Sequence, residues 1–355
     1  MRAAPRIALA LCGLAAALLA AEVGVRVMNA REDEALFDRA RLAAGRPLPK
    51  GPVSLGDLIR ASEIPDLIYE LRPGLERVDY VGAAVSTNAD GFRRTTPTGP
   101  ATDTTYRVLG LGDSVMFGQG VSDGREYLGR LEKNLQRDDP SRDWQLLNAA
   151  VPGYNTAQQV AYLKARGLAF EPDLVLVGFV SNDVNLPSFL NRARDPFGLD
   201  YSALAAWFSE EHSEDSGGLL APAPTKADRV FRVEADPEKV EPRWRHLVGW
   251  SAVEAALDEL KSLSEEHGFR VLFFSHRESE HSEAALEAAR ARGFATCNLA
   301  PRLANYMRDH GIQSYRGSEL TVSETDPHPS PVHHRIASDG LQRALERLGI
   351  AKVPD

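Results

Sequence analysis

From Tyr106 onward the chain alternates short apolar runs with segments in which apolar residues recur at helical spacing. The segments with helical spacing predict helices, and the last of these predicted helices covers residues 331–348. The apolar runs predict strands over 107–112, 144–150, 173–179, 270–275 and 295–299. Such alternation is typical of an α/β domain with a mostly parallel sheet of about five strands and helices on both faces.

The first segment, residues 1–28, has a different character. Arg2 and Arg6 precede an unbroken apolar run over 7–21, and this order predicts a signal peptide or a membrane anchor. Residues 19–21, Leu-Ala-Ala, fit the small-residue pattern of a cleavage site poorly. We therefore favour an uncleaved anchor in a bacterial inner membrane, with the body facing the periplasm or exterior, over a protein secreted after cleavage.

Two further segments differ from the alternating region. Residues 29–105 contain seven prolines and few periodic runs, which predicts a juxtamembrane stalk and irregular structure packed on the domain 106–355. An insertion at about 185–245 is rich in Pro, Asp, Glu and Ser. It is either a solvated loop or a lid over the carboxyl ends of the strands, where open α/β sheets bind their ligands.

Composition narrows the class of protein. The chain has 41 basic and 50 acidic residues and a net charge of −9, the opposite of the balance that nucleic-acid binding needs. Two cysteines, Cys12 and Cys297, cannot form a disulfide framework or a cysteine-rich zinc site. No nucleic-acid partner, metal or cofactor is expected.

Ser114 is the strongest candidate for chemistry. It follows Gly112 and Asp113 at the end of the first predicted strand, where a turn can lift its hydroxyl out of the sheet. A serine nucleophile needs a base and a group that orients the base. His328 lies between two prolines near the C-terminus, and Asp326 two residues earlier could accept its ring N–H.

These motifs resemble the SGNH, or GDSL, hydrolase superfamily, a group with a flavodoxin-like three-layer sandwich fold. The resemblance implies that Ser114 is the nucleophile and that its N–H is one oxyanion donor. Gly153, in the block Asn-Ala-Ala-Val-Pro-Gly, and Asn182, in Ser-Asn-Asp, match the second and third donors. The last block implies that His328 is the base and Asp326 its orienting carboxylate.

The sequence departs from the family pattern at two positions. The commonest form of the last block has its aspartate three residues before the histidine, where this chain has Thr325. Asp326 is one step closer to His328, and Glu324 could serve in its place, or the histidine could work without a strong carboxylate partner. The third block has Val180 where the family usually has glycine, but the amide of Asn182 is still available.

Polar residues beside these blocks are candidates for the pocket. We interpret Asp113 and Asp183 as hydrogen-bonding scaffolds. Tyr154 and Asn155 could line the pocket, although Asn155 is equally plausible as the N-cap of the helix that follows. His276, at the end of the fourth predicted strand, could line the pocket, but we favour a partly exposed structural residue. Two adjacent histidines, His333 and His334, lie near the start of the last predicted helix. A metal site there is not expected.

Three functions are compatible with this reading. The first is an extracytoplasmic serine esterase, anchored by its N-terminal helix, that cleaves an acyl or acetyl ester of a small molecule, glycan or lipid through an acyl-serine. The second is an O-acyltransferase that modifies an envelope polysaccharide with the same residues. The third is a non-catalytic glycan-binding protein, which would have no need of Ser114, Gly153, Asn182 and His328 together.

Overall fold

The computed structural model describes residues 12–28, 47–187, 235–240 and 242–352, together with residues 202, 204 and 205. The chain divides into two compact units, and the larger one comprises Ala40–Pro187 and Glu234–Asp355. Most of the predicted insertion at 185–245 lies outside the described residues. The prediction that it forms a lid therefore lies outside them too. The predicted stalk over 29–46 lies outside them as well.

The described part of the chain contains nine strands. In chain order they are β1 Ile59–Ala61, β2 Tyr69–Leu71, β3 Val78–Tyr80, β4 Ala83–Val85, β5 Thr105–Leu111, β6 Asp143–Asn148, β7 Leu174–Phe179, β8 Arg270–Ser275 and β9 Ala295–Asn298. The last five form one sheet in the order β6-β5-β7-β8-β9, and every neighbouring pair in it is parallel. The predicted parallel sheet is therefore confirmed, with its strands within two residues of the predicted bounds.

Nine α-helices of four or more residues accompany the strands in the described residues. They are α1 over 12–28, α2 Leu55–Leu58, α3 Ser114–Phe117, α4 Tyr127–Asp138, α5 Thr156–Ala165, α6 Gly249–His267, α7 Glu280–Ala291, α8 Ala300–Asp309 and α9 Pro331–Arg347. Side chains at their starts explain where two of them begin. Asn155 caps α5 by accepting from the N–H of Gln158, and the hydroxyl of Ser330 accepts from N–H groups of the first turn of α9.

Helices cover both faces of the sheet. Leu109 faces α5, because a Cβ on Gly167, just beyond that helix, would meet the leucine side chain at 2.6 Å. The next residue, Gly110, faces α4, since a Cβ there would lie 2.3 Å from Leu128. Successive strand residues point to opposite faces, so α4 and α5 cover opposite faces of β5.

The order of the strands determines where a ligand can bind. The chain passes from β5 to β6 and then back across β5 to β7, so the direction of crossover changes beside β5. Open α/β sheets of this order bind ligands at that switch point, beyond the carboxyl ends of the strands. The loops that follow β5, β6 and β7 meet there.

The segment before β5 is more regular than the sequence predicts. β1 pairs with β2 and β3 with β4, each in an antiparallel ribbon. Tyr69 and Phe92 of this segment are buried. Three-residue strands are too short to show an alternating pattern, which is why the sequence predicts irregular structure here.

The N-terminal helix α1 leaves several apolar side chains exposed, namely Leu14, Leu18, Leu19, Val23 and Met28. Near its end, Glu22 and Arg26 form an ion pair at 2.6 Å. Among the described residues, no helix has both the length and the apolar character that crossing a membrane would require. The membrane anchor stays a prediction.

Candidate active site

Ser114 lies at the carboxyl end of β5, on the first turn of the short helix α3. Asp113 caps this helix, its carboxylate accepting from the N–H of Val115 at 2.8 Å. The helix ends at Gly118, whose φ of 80° suits glycine, and a Cβ there would lie 2.7 Å from the guanidinium of Arg93. The half-buried Ser114 side chain is thus held on a sharp turn at the switch point.

His328 reaches Ser114 from the loop before α9, 214 residues further along the chain. Its Nε2 lies 2.9 Å from Ser114 Oγ, and its Nδ1 lies 2.6 Å from a carboxylate oxygen of Asp326. The same carboxylate oxygen accepts from the backbone N–H of His328 at 3.0 Å. With Nδ1–H donating to Asp326, Nε2 is left to accept the serine proton.

The charge on Asp326 is stabilised by its neighbours. Burial raises the pKa of this carboxyl, but the hydrogen bond from His328 and the charge of its ring outweigh burial. The hydrogen bond from Gln119 acts in the same direction, and the pKa of Asp326 lies below its usual range. An ionised Asp326 is therefore present at neutral pH.

Glu324, the alternative partner of His328, is exposed. Within the described residues no hydrogen bond joins it to His328. Thr325, at the position where the family has its aspartate, bonds instead to the hydroxyl of Ser323 at 3.3 Å. Of the two carboxylates left open by the sequence, the structure places Asp326 against the imidazole.

The expected oxyanion donors follow the strands on either side of β5. Gly153 lies five residues beyond the end of β6 and has a φ of 83°, a conformation that favours glycine. Asn182 lies three residues beyond the end of β7 and is exposed. Since β6, β5 and β7 are adjacent and parallel, the loops carrying Gly153, Ser114 and Asn182 leave the same edge of the sheet.

The other pocket candidates are buried among protein groups. Asp113 and Asp183 are each 2% exposed, and Asp183 accepts from Thr156 at 2.8 Å. Burial raises the pKa of both carboxyls, and the neighbouring charge of Asp113 adds to the effect on Asp183. Tyr154 donates its buried hydroxyl to the backbone oxygen of Tyr69. These buried side chains form part of the scaffold of the site.

Asn155 is also only 2% exposed and caps α5. Its amide nitrogen donates to the backbone oxygens of Asn185 at 2.9 Å and Leu247 at 2.7 Å. It joins the loop after β7 to the segment before α6. The side-chain oxygen of Asn155 therefore acts as the predicted N-cap, and its side-chain nitrogen holds these two segments together.

Three residues near the site were missed by the sequence analysis. The amide nitrogen of Gln119 lies 3.1 Å from His328 Nδ1, and the hydroxyl of Tyr80 donates to the Gln119 oxygen at 2.9 Å. Arg93, 2% exposed, donates to the backbone oxygens of Phe117, Gly118 and Val121. Residue spacing gives no signal for Gln119 or Tyr80. The residue types of 87–92, Asn, Asp and Gly among them, predict a tight turn, and the position of Arg93 at its end is the one hint available for that residue.

His276 is 3% exposed, so the expectation of a partly exposed residue is wrong. It lies at the end of β8, where the rings of Phe274 and Tyr127 cover it. His333 and His334 are buried as well. No group of three or more His, Cys, Asp or Glu in the described part of the chain is arranged to hold a metal ion.

Comparison with known proteins identifies the class. A model of the GDSL-like lipase/acylhydrolase family matches residues 111–336, which include every residue of the candidate site from Ser114 to His328. The chain belongs to this family, and it is an ester-hydrolysing enzyme. The resemblance noted from the sequence is confirmed. A comparison with the curated proteins finds no match.

Solved structures with a similar chain path include three hydrolases. An α/β hydrolase enzyme from the metagenome of Lake Arreo, Spain, is 14% identical over 72% of this chain and 99% of its own, with a TM-score of 0.41. A two-domain esterase active on acetylated mannans is 15% identical over 71% of this chain and 51% of its own, with a TM-score of 0.44. A mutant acetylxylan esterase from Geobacillus stearothermophilus is 14% identical over 68% of this chain and 94% of its own, with a TM-score of 0.42.

Proposed function

We propose that this enzyme is a serine esterase that works through an acyl-serine intermediate. The observation that carries the proposal is the hydrogen-bonded series Ser114 Oγ, His328 Nε2, His328 Nδ1 and Asp326, with distances of 2.9 and 2.6 Å. Nucleophile, base and orienting carboxylate in this order are what acyl transfer to a serine requires.

In the first half of the reaction, Ser114 Oγ attacks the ester carbonyl while its proton passes to His328 Nε2. The negative charge on the carbonyl oxygen is stabilised by the N–H groups of Ser114 and Gly153 and the amide of Asn182. The bond to the leaving oxygen then breaks, and His328 returns the proton to that oxygen. Asp326 keeps the imidazole in one tautomer and stabilises its charged form.

In the second half, water attacks the acyl-serine and gives its proton to His328. The tetrahedral intermediate collapses with transfer of that proton to Ser114 Oγ, which restores the enzyme and releases the acid. An acceptor hydroxyl in place of water would make the same intermediate an acyl donor, which is the O-acyltransferase alternative.

The experiment is hydrolysis of p-nitrophenyl acetate by the full chain and by Ser114→Ala. We expect the variant to lose at least a thousandfold in kcat, because the nucleophile is absent. In wild-type samples quenched with acid, the peptide containing Ser114 should gain the mass of one acetyl group. Turnover by Ser114→Ala at the wild-type rate would refute the mechanism, and nitrophenol release that rises with added oligosaccharide would assign transfer instead of hydrolysis.

We also propose that the enzyme works outside the cytoplasm on an acyl or acetyl ester of an envelope glycan or lipid. The basic residues Arg2 and Arg6 before the apolar run over 7–21 support this location. A C-terminal alkaline phosphatase fusion to the full chain tests it, since phosphatase is active only after export. A fusion that is inactive but present at normal levels would contradict it.

A further inference from the structure

A cavity of about 290 Å³ lies at the surface between α4 and α9, and none of the candidate active-site residues lines it. At about 30 Å³ per water, this volume corresponds to roughly ten water molecules. The side chains that matter for its chemistry are those of Arg125, Arg130, Lys133, Arg335, Ser338 and Asp339. It is thus a separate depression large enough for a small ligand.

The lining of the cavity carries an excess of positive charge. Four cationic side chains line it against the single carboxylate of Asp339, in a chain whose net charge is −9. None of the four forms an ion pair with any described residue. Burial lowers the pKa of Arg130, and the nearby charges of Arg125 and Arg335 lower it further, while the carboxylates of Glu126 and Asp339 act in the opposite direction without cancelling the shift. Like charges held together in this way favour a bound anion.

Backbone hydrogen bonds fix two of these cations in place. Arg130 Nε donates to the backbone oxygen of Arg125 at 2.7 Å, and Lys133 Nζ donates to that of Gly124 at 3.0 Å. The close approach of Lys133 depends on glycine, because a Cβ on Gly124 would lie 2.6 Å from Nζ. The terminal guanidinium nitrogens of Arg130 make no hydrogen bond with a described residue, so they are available to a ligand.

Ser338 provides an independent sign of a ligand. Its side chain is 1% exposed, it lines the cavity, and its hydroxyl has no hydrogen-bond partner among the described residues. A buried hydroxyl normally has a partner, because leaving it without one costs about 1–3 kcal/mol. A hydroxyl donor in a cavity lined by four cations suits an oxyanion with more than one acceptor oxygen.

We propose that the cavity between α4 and α9 binds a phosphate group. Guanidinium groups pair with phosphate oxygens through two parallel N–H donors, and lysine adds a point charge. A phosphate group offers the negative charge that balances the four cationic side chains. It also offers an oxygen that accepts from the hydroxyl of Ser338. The group belongs either to free phosphate or to the headgroup of an anionic phospholipid, since both present the same oxygens.

Titration calorimetry of the full chain with inorganic phosphate tests this site. We expect saturable binding that weakens as sodium chloride is raised, because salt screens the attraction. Chloride at the same ionic strength should give no saturable heat. An absence of saturable phosphate binding at low salt overturns the proposal.

Variants locate the binding. The double variant Arg130→Gln/Arg335→Gln should bind phosphate at least tenfold more weakly. The single variant Arg335→Gln removes an exposed side chain, so weakened binding there cannot be ascribed to loss of the fold. Arg343→Gln is the matched control: it removes the same charge from an exposed position of α9 outside the cavity and should bind like wild type. Equal binding by the double variant and wild type overturns the assignment.

Vesicles distinguish the two sources of phosphate. Phosphatidylglycerol vesicles that displace bound phosphate from wild type, where phosphatidylcholine vesicles do not, assign the site to a lipid headgroup. Phosphate binding that neither vesicle affects assigns it to the free ion. Because α1 could itself bind vesicles, the readout is displacement of phosphate. The outcome does not depend on esterase chemistry, so failure of one proposal leaves the other standing.

Discussion

The hydroxyl of Tyr80 donates a 2.9 Å hydrogen bond to the side-chain oxygen of Gln119. This bond orients the amide of Gln119 so that its nitrogen faces His328 Nδ1 and the carboxylate of Asp326. Because His328 Nδ1–H already donates to Asp326, the amide N–H of Gln119 acts on the carboxylate. Tyr80 belongs to β3, so the segment before the sheet takes part in holding the site.

The first prediction concerns Asp326 and Glu324. Asp326→Asn should lower kcat for p-nitrophenyl acetate by roughly 10²–10⁴-fold, because the amide no longer stabilises the charged imidazole or fixes its tautomer. Glu324→Gln is the matched control and should stay within about twofold, since Glu324 is exposed. The reverse order of effects would transfer the orienting role to Glu324.

The second prediction concerns Gln119 as a positioning residue. Its hydrogen bond lowers the pKa of Asp326, so Gln119→Leu should raise that pKa. The ionised carboxylate is the active form, and the acid limb of kcat/KM should therefore move to higher pH. We expect kcat at neutral pH to fall about tenfold, in the range of one lost hydrogen bond to a charged group.

Tyr80→Phe tests the same contact from its other side. It removes the hydroxyl that orients the amide while leaving Gln119 in place, so a smaller loss of kcat and a smaller shift of the acid limb are expected. If Gln119→Leu lowers kcat without moving the acid limb, its role is packing alone.

The third prediction concerns Asn182. If its amide donates to the oxyanion, Asn182→Ala should cost about 3 kcal/mol of transition-state stabilisation, which is roughly 10²-fold in kcat, with KM little changed. The exposed Asn305 lies on α8 and gives the matched control Asn305→Ala, which should leave kcat as in wild type. A rise in KM at constant kcat would instead place Asn182 in substrate binding.

The sheet could be predicted from the sequence because its strands are long and apolar. β8 coincides with the predicted residues 270–275, and all six residues of β7 are buried, as its apolar run indicates. The candidate triad could be proposed because Ser114 and His328 lie in short motifs with a known order along the chain. Those motifs carry no information on residues that act from elsewhere.

Contacts between residues that are far apart in the chain could not be predicted from the sequence when no known motif contains them. Tyr80 and Gln119 are 39 positions apart and share no pattern. Buried polar residues are difficult for a related reason. The sequence shows that Arg93 and His276 are polar residues. Only the three-dimensional packing shows that each is nearly inaccessible to water.

The fourth prediction concerns Arg93, whose guanidinium donates to three backbone oxygens of the loop after Ser114. Arg93→Met removes the guanidinium donor from all three oxygens, of which that of Gly118 keeps the backbone N–H of Val121. The variant should lower the free energy of unfolding by about 3–5 kcal/mol. Urea denaturation measures this change. Arg316→Met removes an exposed arginine and should change stability by less than about 0.5 kcal/mol. A similar loss in both variants would deny Arg93 a special role.

The fifth prediction concerns the buried histidines, whose rings contact one another and Tyr127. Burial lowers the pKa of His276 and His334 well below the usual value, and burial and the charge of Arg277 lower that of His333 to about 3. Unfolding exposes these rings, which then bind protons below about pH 6.5. The stability they contribute is therefore complete above that pH and is lost as the pH falls toward 3.

Each such histidine should reduce the free energy of unfolding by about 1.4 kcal/mol per pH unit below pH 6.5. His276→Phe tests this directly, because neither ring nitrogen of His276 has a hydrogen-bond partner among the described residues. The variant should match wild type at pH 7.5 and lose stability less steeply between pH 6 and 4.5, a difference that urea denaturation across this range measures. His281→Phe, at an exposed position, is the control. An unchanged pH slope in His276→Phe would mean that this ring is already protonated in the folded enzyme.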